Sequence, residues 1–141
     1  MTGDMTGEQL AAAASALVGT PFRLHGRDPR TGLDCVGVLA AALGREGPLP
    51  NGYALRTRTL PDFSGIAAKL GLVPACGAVL TGDVLVLRPS PCQLHLAIAA
   101  SAQGVVHAHA GLRKVVAGPL PAGWPLVGHW RLQPRPITTR N

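Results

Sequence analysis

The apolar positions of this chain change period about half-way along. Leu10, Ala13, Ala14 and Leu17 recur at i, i+3, i+4 and i+7, which predicts a helix from Glu8 to Leu17. Gly19, Thr20 and Pro21 stop it. A second helix starts near Asp34 or Cys35 and runs through Val38, Leu39 and Ala42 to Leu43. Asp34 suits its N-cap, because a carboxylate there accepts from the exposed N–H groups of the first turn. Gly44 suits its C-terminal stop. A third helix is predicted from Pro61 or Asp62 to Leu70, ended by Gly71. Beyond it the apolar residues gather into short runs: Val84 to Leu87, Leu94 to Ala100, Val105 to His109, Lys114 to Ala117 and Val127 to Leu132. Helices first and short strands after predict an α+β fold with an antiparallel sheet. Segments 22–33 and 45–61 read as loops, and residues 1–7 as a frayed start. One domain over 1–132 and a loose tail over 133–141 are expected.

Composition narrows this picture without redirecting it. At 141 residues, 47% hydrophobic and 14% charged, the chain holds enough apolar material for a core. Its 18 Gly and 13 Pro favour turns over long helices. Aromatics at 4% argue against a base-stacking nucleic-acid module. The net charge of +6 suits polyanions: nucleic acid, anionic lipid or an acidic cell wall. It is spread out: Arg23, Arg27 and Arg30 with His25 among them, Arg56 and Arg58, then Arg131, Arg135 and Arg140. Most of these read as solvated surface charges. No apolar run reaches the roughly 18 residues of a membrane span. No basic start precedes Ala11 to Val18, so no signal peptide is read and synthesis in the cytoplasm is expected.

Three cysteines, Cys35, Cys76 and Cys92, give an odd count and no C-x-x-C pair, which disfavours a disulfide framework. Cys35 stands at the predicted start of a helix, where the partial positive charge favours a thiolate. Buried packing is the plainer role for a cysteine. Cys76, placed in a loop before the first strand, and Cys92 read as filler or incidental thiols. His95 lies in the strand L-H-L-A-I-A. A lone histidine there is more often a hydrogen-bonded core residue than a catalyst. His107 lies on the next strand, in V-V-H-A-H-A, and the short turn between predicts a hairpin that sets the two side by side. Cys35, a base and an orienting residue then follow the logic of a nucleophilic triad. His109 shares a face with His107 and competes for the third role. His95, His107, His109 and a cysteine would also number four zinc ligands, but their spacing matches no recognised pattern. No metal or cofactor is expected.

The stretches V-G-T-P-F-R at 18–23 and G-L-D-C-V-G-V-L at 32–39 resemble the NlpC family of bacterial cell-wall cysteine peptidases. Gly82-Asp83-Val84-Leu85-Val86, then His95, then His107 followed by Ala108, continue the family's order. The resemblance covers about residues 10 to 110. The D-C-hydrophobic-G variant and the terminal G-x-W-R-L look more like the small peptidases of phage tail clusters and gene transfer agents. The resemblance implies a papain-like α+β fold with Cys35 as nucleophile, His95 as general base and His107 as orienting residue. It implies hydrolysis in the peptidoglycan stem, typically between D-γ-glutamate and a diamino acid, without a cofactor. The backbone N–H of Cys35 would be one oxyanion donor. Phe22 replaces the family's usual Tyr and Val36 its usual Ser, each removing a hydroxyl on the oxyanion and substrate side, beside Asp34. Arg23 or His25 would be the replacement donors. The implied partners are a peptidoglycan stem peptide and phage-like tail proteins, with a phage-like particle carrying the protein to the wall. A structural tail protein of the same fold with little activity, and an amidase or acyltransferase using the same triad, are the alternatives.

Overall fold

The computed structural model describes residues 5–24, 26–44, 67, 70–90, 93–101, 104–120 and 123–132. Helix α1 spans Gly7–Ser15 and ends two residues before the pattern predicts. Its start is fixed by a capping box: Gln9 N–H donates to Thr6 Oγ1 at 3.1 Å, and Thr6 N–H donates to Gln9 Oε1 at 2.9 Å. Leu10, Ala11 and Ala14 are its buried residues.

Helix α2 spans Cys35–Leu43, with Asp34 at the N-cap and Gly44 at the C-cap, as expected. Gly37 N–H donates to Asp34 Oδ1 at 2.8 Å. Gly44 adopts φ +70°, a conformation that costs glycine little. Nearly every α2 side chain is buried, so its composition carries no polar stripe. Gly37 permits a close approach, because a Cβ there would run into the carbonyl oxygen of Gly26. That contact seats the preceding loop on the head of α2, just where Cys35 begins.

The predicted loop over 22–33 contains a minimal hairpin, β1 (Arg27–Asp28) and β2 (Gly32–Leu33). Strands of two residues carry no period for a sequence to display. The third predicted helix lies largely outside the described residues, as do His25, Cys92 and the tail from Gln133. Of that helix, Ala67 and Leu70 are seen, both buried in the core.

The second half folds into β3 (Leu72–Pro74), β4 (Val84–Ser90), β5 (Gln93–Ala99), β6 (Gly104–His109), β7 (Lys114–Pro119) and β8 (Leu126–Leu132). These form one six-stranded sheet, in the order β3-β8-β4-β5-β6-β7, with every pairing antiparallel. All five predicted strands are present. β3 is an addition, so Cys76 follows the first strand of this sheet rather than preceding it. Alternation gives the sheet two apolar faces. Val84, Val86, Leu94, Leu96, Ile98 and Val106 join the helices in the main core. Leu85, Leu87, Ala97 and Val105 form a second cluster. α2 packs on β5 and β6.

Residues 19–22 lie along the outer edge of β7. Gly19 N–H donates to the Val115 carbonyl at 2.9 Å, Val115 N–H to Thr20 at 2.8 Å, and Phe22 N–H to Arg113 at 2.9 Å. Within β8, Arg131 departs from the solvated charge expected of it. Its Nε and Nη2 donate to the fully buried Asp83 at 2.8 and 2.9 Å. His129 Nε2 lies 2.6 Å from Asp83 Oδ2, and Leu80 N–H donates to the same oxygen at 2.9 Å. This network ties the turn before β4 to β8.

Candidate active site

The β5–β6 ladder is short. Ile98 pairs with Val106 and Ala99 with Val105, and the register goes no further toward His95. Ala99 N–H donates to Asp83 O, on the β4 side. Alternation therefore turns the N–H groups of Ile98 and Leu96 toward β6. Ile98 lies within the ladder; Leu96 lies beyond its end. The Leu96 N–H instead bears on the Cys35 thiol and favours its charged form. The head of α2 thus enters the sheet where two strands part, one residue from His95.

Cys35 is 4% exposed. Burial is the largest influence on its thiol and pushes it up to about 12, with the Asp34 carboxylate adding to the rise. The backbone N–H groups of Leu96, Val36 and Cys35 act in the opposite direction and are outweighed. The expected thiolate is therefore not the resting form, because desolvation exceeds the pull of the helix terminus. Iodoacetamide at pH 7 is expected to modify the exposed Cys76 before Cys35, with labelling of Cys35 accelerating only at strongly alkaline pH. Timed alkylation with peptide mapping checks this.

His95 and His107 meet as the hairpin predicts. His95 Nε2 lies 2.8 Å from His107 Nδ1, with the rings nearly perpendicular at 87°. Burial, then the neighbouring His107 and His109, bring the His95 imidazole down to about 3. Burial, then His109, also lower His107. Both rings are therefore neutral near pH 7. Engagement of Nε2 by His107 leaves Nδ1 of His95 as the nitrogen able to take a proton. For Nδ1 to be a base, Nε2 must carry the hydrogen and donate to His107. A neutral His107 can accept that bond.

His109 is committed elsewhere: its Nδ1 accepts from Leu112 N–H at 3.0 Å and holds the β6–β7 turn. Between the two rivals, His107 makes the contact with His95. His95 bonds to His107, and its chain neighbour Leu96 bears on the Cys35 thiol, so the two halves adjoin through Leu96. Val36 is 5% exposed and packs into the main core. The Asp34 carboxylate serves the helix cap. Phe22 is half-buried against the core and is joined by backbone bridging to Leu33. Trp124, absent from the sequence-derived site, lies 5.4 Å from the His95 ring and 6.0 Å from that of His107, between centroids. Its G-W-P setting was the available signal.

No protein-family model and no curated protein matches the chain. Solved structures do. NlpC2 from Trichomonas vaginalis superposes over 96% of this chain and 49% of its own, with TM-score 0.65 and 17% identity. An NlpC/P60 family protein from Bacillus cereus does so over 94% and 42%, with TM-score 0.66 and 19% identity. The fold is that of the NlpC/P60 proteins. The chain spans about half the length of these neighbours or less. The NlpC/p60 domain of the peptidoglycan hydrolase SagA aligns over 82% of this chain and 90% of its own, at TM-score 0.52 and 25% identity. In this chain Cys35 heads the helix that packs on β5 and β6, and those two strands carry His95 and His107.

Proposed function

We propose that the protein is a cysteine peptidase acting on peptide bonds of the peptidoglycan stem, with Cys35 as nucleophile, His95 as general base and His107 as its orienting partner. The observation that carries this reading is the hydrogen-bonded His95–His107 pair on β5 and β6, the two strands on which the helix headed by Cys35 packs. As Cys35 Sγ attacks the carbonyl carbon, His95 Nδ1 takes the thiol proton. The carbonyl π electrons move to oxygen, and the Cys35 N–H at the head of α2 faces that charge. The intermediate collapses as His95 returns the proton to the leaving nitrogen. The C–N bond breaks and a thioester remains. Water then loses a proton to His95, attacks the thioester and releases the acid, and the proton returns to sulfur. His107 accepts from His95 throughout and favours its transient imidazolium.

The neighbour named as a peptidoglycan hydrolase and the net charge of +6 support the wall peptide as substrate. The D-γ-glutamyl–diamino acid bond and delivery by a phage-like particle rest on the resemblance of the D-C-V-G block and the G-x-W-R-L end. Digestion of purified muropeptides, read by mass spectrometry, tests the reading. Release of a free diamino-acid N-terminus supports it. Intact muropeptides after incubation with folded protein would instead favour a structural tail protein. The same assay run against pH has an expected shape. The base must be neutral and its pKa is lowered to about 3, so the acid limb of kcat/KM should lie well below the ordinary 6.5.

A further inference from the structure

Trp124 is placed by several features acting together. Gly123 adopts φ +82° and turns the chain before β8. Pro125 follows and restricts Trp124 to extended backbone. The Pro125 carbonyl accepts from Arg88 N–H at 2.9 Å, which fastens the segment to β4. The β4–β8 register then shifts, from Leu87↔Leu126 to Val86↔Gly128, leaving Val127 as the additional residue. Bulges of this kind re-aim side chains beside sites. The indole packs on the cluster of Leu85, Leu87, Ala97 and Val105. It meets His95 at an interplanar angle of 79° and His107 at 78°, so one ring system contacts both histidines edge to face.

We propose that Trp124 is a positioning residue of the His95–His107 pair, its indole holding the two ring planes and keeping water from them. This rests on the reading of His95 as general base. Water at these rings would compete for the bond between Nε2 and Nδ1 and would solvate the protonated imidazole. Among the described residues the titratable group beside the pair is His109 on β6, whose ring lies 5.8 Å from that of His107. β4 presents Leu85 and Leu87 to the pair. Removing the indole therefore acts through hydration and ring orientation, not through loss of a charge.

Histidine ring resonances of the full chain, followed by NMR against pH, give the test. In the wild type, Trp124 indole protons should show cross-relaxation with ring protons of both His95 and His107. In Trp124→Ala both rings should titrate at least about one pH unit higher, and in Trp124→Phe close to the wild type. On a muropeptide substrate, Trp124→Ala should lower kcat about tenfold with KM little changed and move the acid limb upward, and Trp124→Phe should recover most of this. Unshifted titrations in folded Trp124→Ala overturn the proposal. Absence of the indole contacts in the wild type also overturns it, and needs no variant to fold. If the wild type cleaves no wall peptide, the peptidase reading fails while the titrations still decide the role of Trp124.

Discussion

Replacing Cys35 with alanine is expected to lower muropeptide cleavage by about 10⁴-fold or more while leaving the fold in place. In the proposed mechanism the Cys35 sulfur is the atom that forms the thioester. Alanine keeps the Cβ in the core and removes one atom from a site that is 4% exposed. The stability loss should be about 1 kcal/mol. His95→Ala should show a comparable loss of activity, and the double variant little more than either alone, because the two act as a unit. Single-turnover measurements on a defined stem peptide, with circular dichroism as the folding control, check this. Activity of Cys35→Ala within tenfold of the wild type would remove the thiol from the mechanism.

The largest stability effect is expected at Asp83. Its carboxylate is fully buried and meets Arg131, His129 and Leu80 N–H. Burial alone would raise its pKa. The hydrogen bonds from Arg131, Leu80 and His129 outweigh burial and hold it below the ordinary 3.8. Asp83→Ala leaves a guanidinium and an imidazole without their acceptor, and should cost about 3–5 kcal/mol. Urea unfolding at pH 7 measures it. The sign with pH follows from the lowered folded-state value. The contribution is complete above the unfolded value of about 3.8 and disappears as pH falls through the folded one. The wild type should therefore lose stability below about pH 4 more steeply than Asp83→Ala does.

Local signals made the head of the site readable. Asp34 before an apolar helix and Gly44 after it mark α2 to the residue, because caps are set by chemistry within four positions. The histidines could be paired from sequence because a short turn between apolar runs implies a hairpin, and alternation then fixes their common face. Burial of the Cys35 sulfur could not be read in this way. It depends on how α2 packs against β5, which lies some sixty positions further along the chain. The same holds for Arg131, whose partner Asp83 lies 48 positions away. β3 escaped because Leu72-Val73-Pro74 is too short to show a period and ends in proline. Trp124 escaped because it stands outside every apolar run that predicts a strand.

The segment laid along β7 has a second bearing on the protein's lifetime. A sheet edge with open N–H and C=O groups is a template for pairing with another chain, and residues 19–22 cover the first part of that edge, up to Val115. The same segment leads directly through the β1–β2 hairpin to Asp34 and Cys35. Peeling it away would uncover the start of β7 for intermolecular strand addition and loosen the loop that seats Cys35. Aggregation and inactivation would then share a single opening event, and a preparation losing activity on storage should lose solubility in step with it.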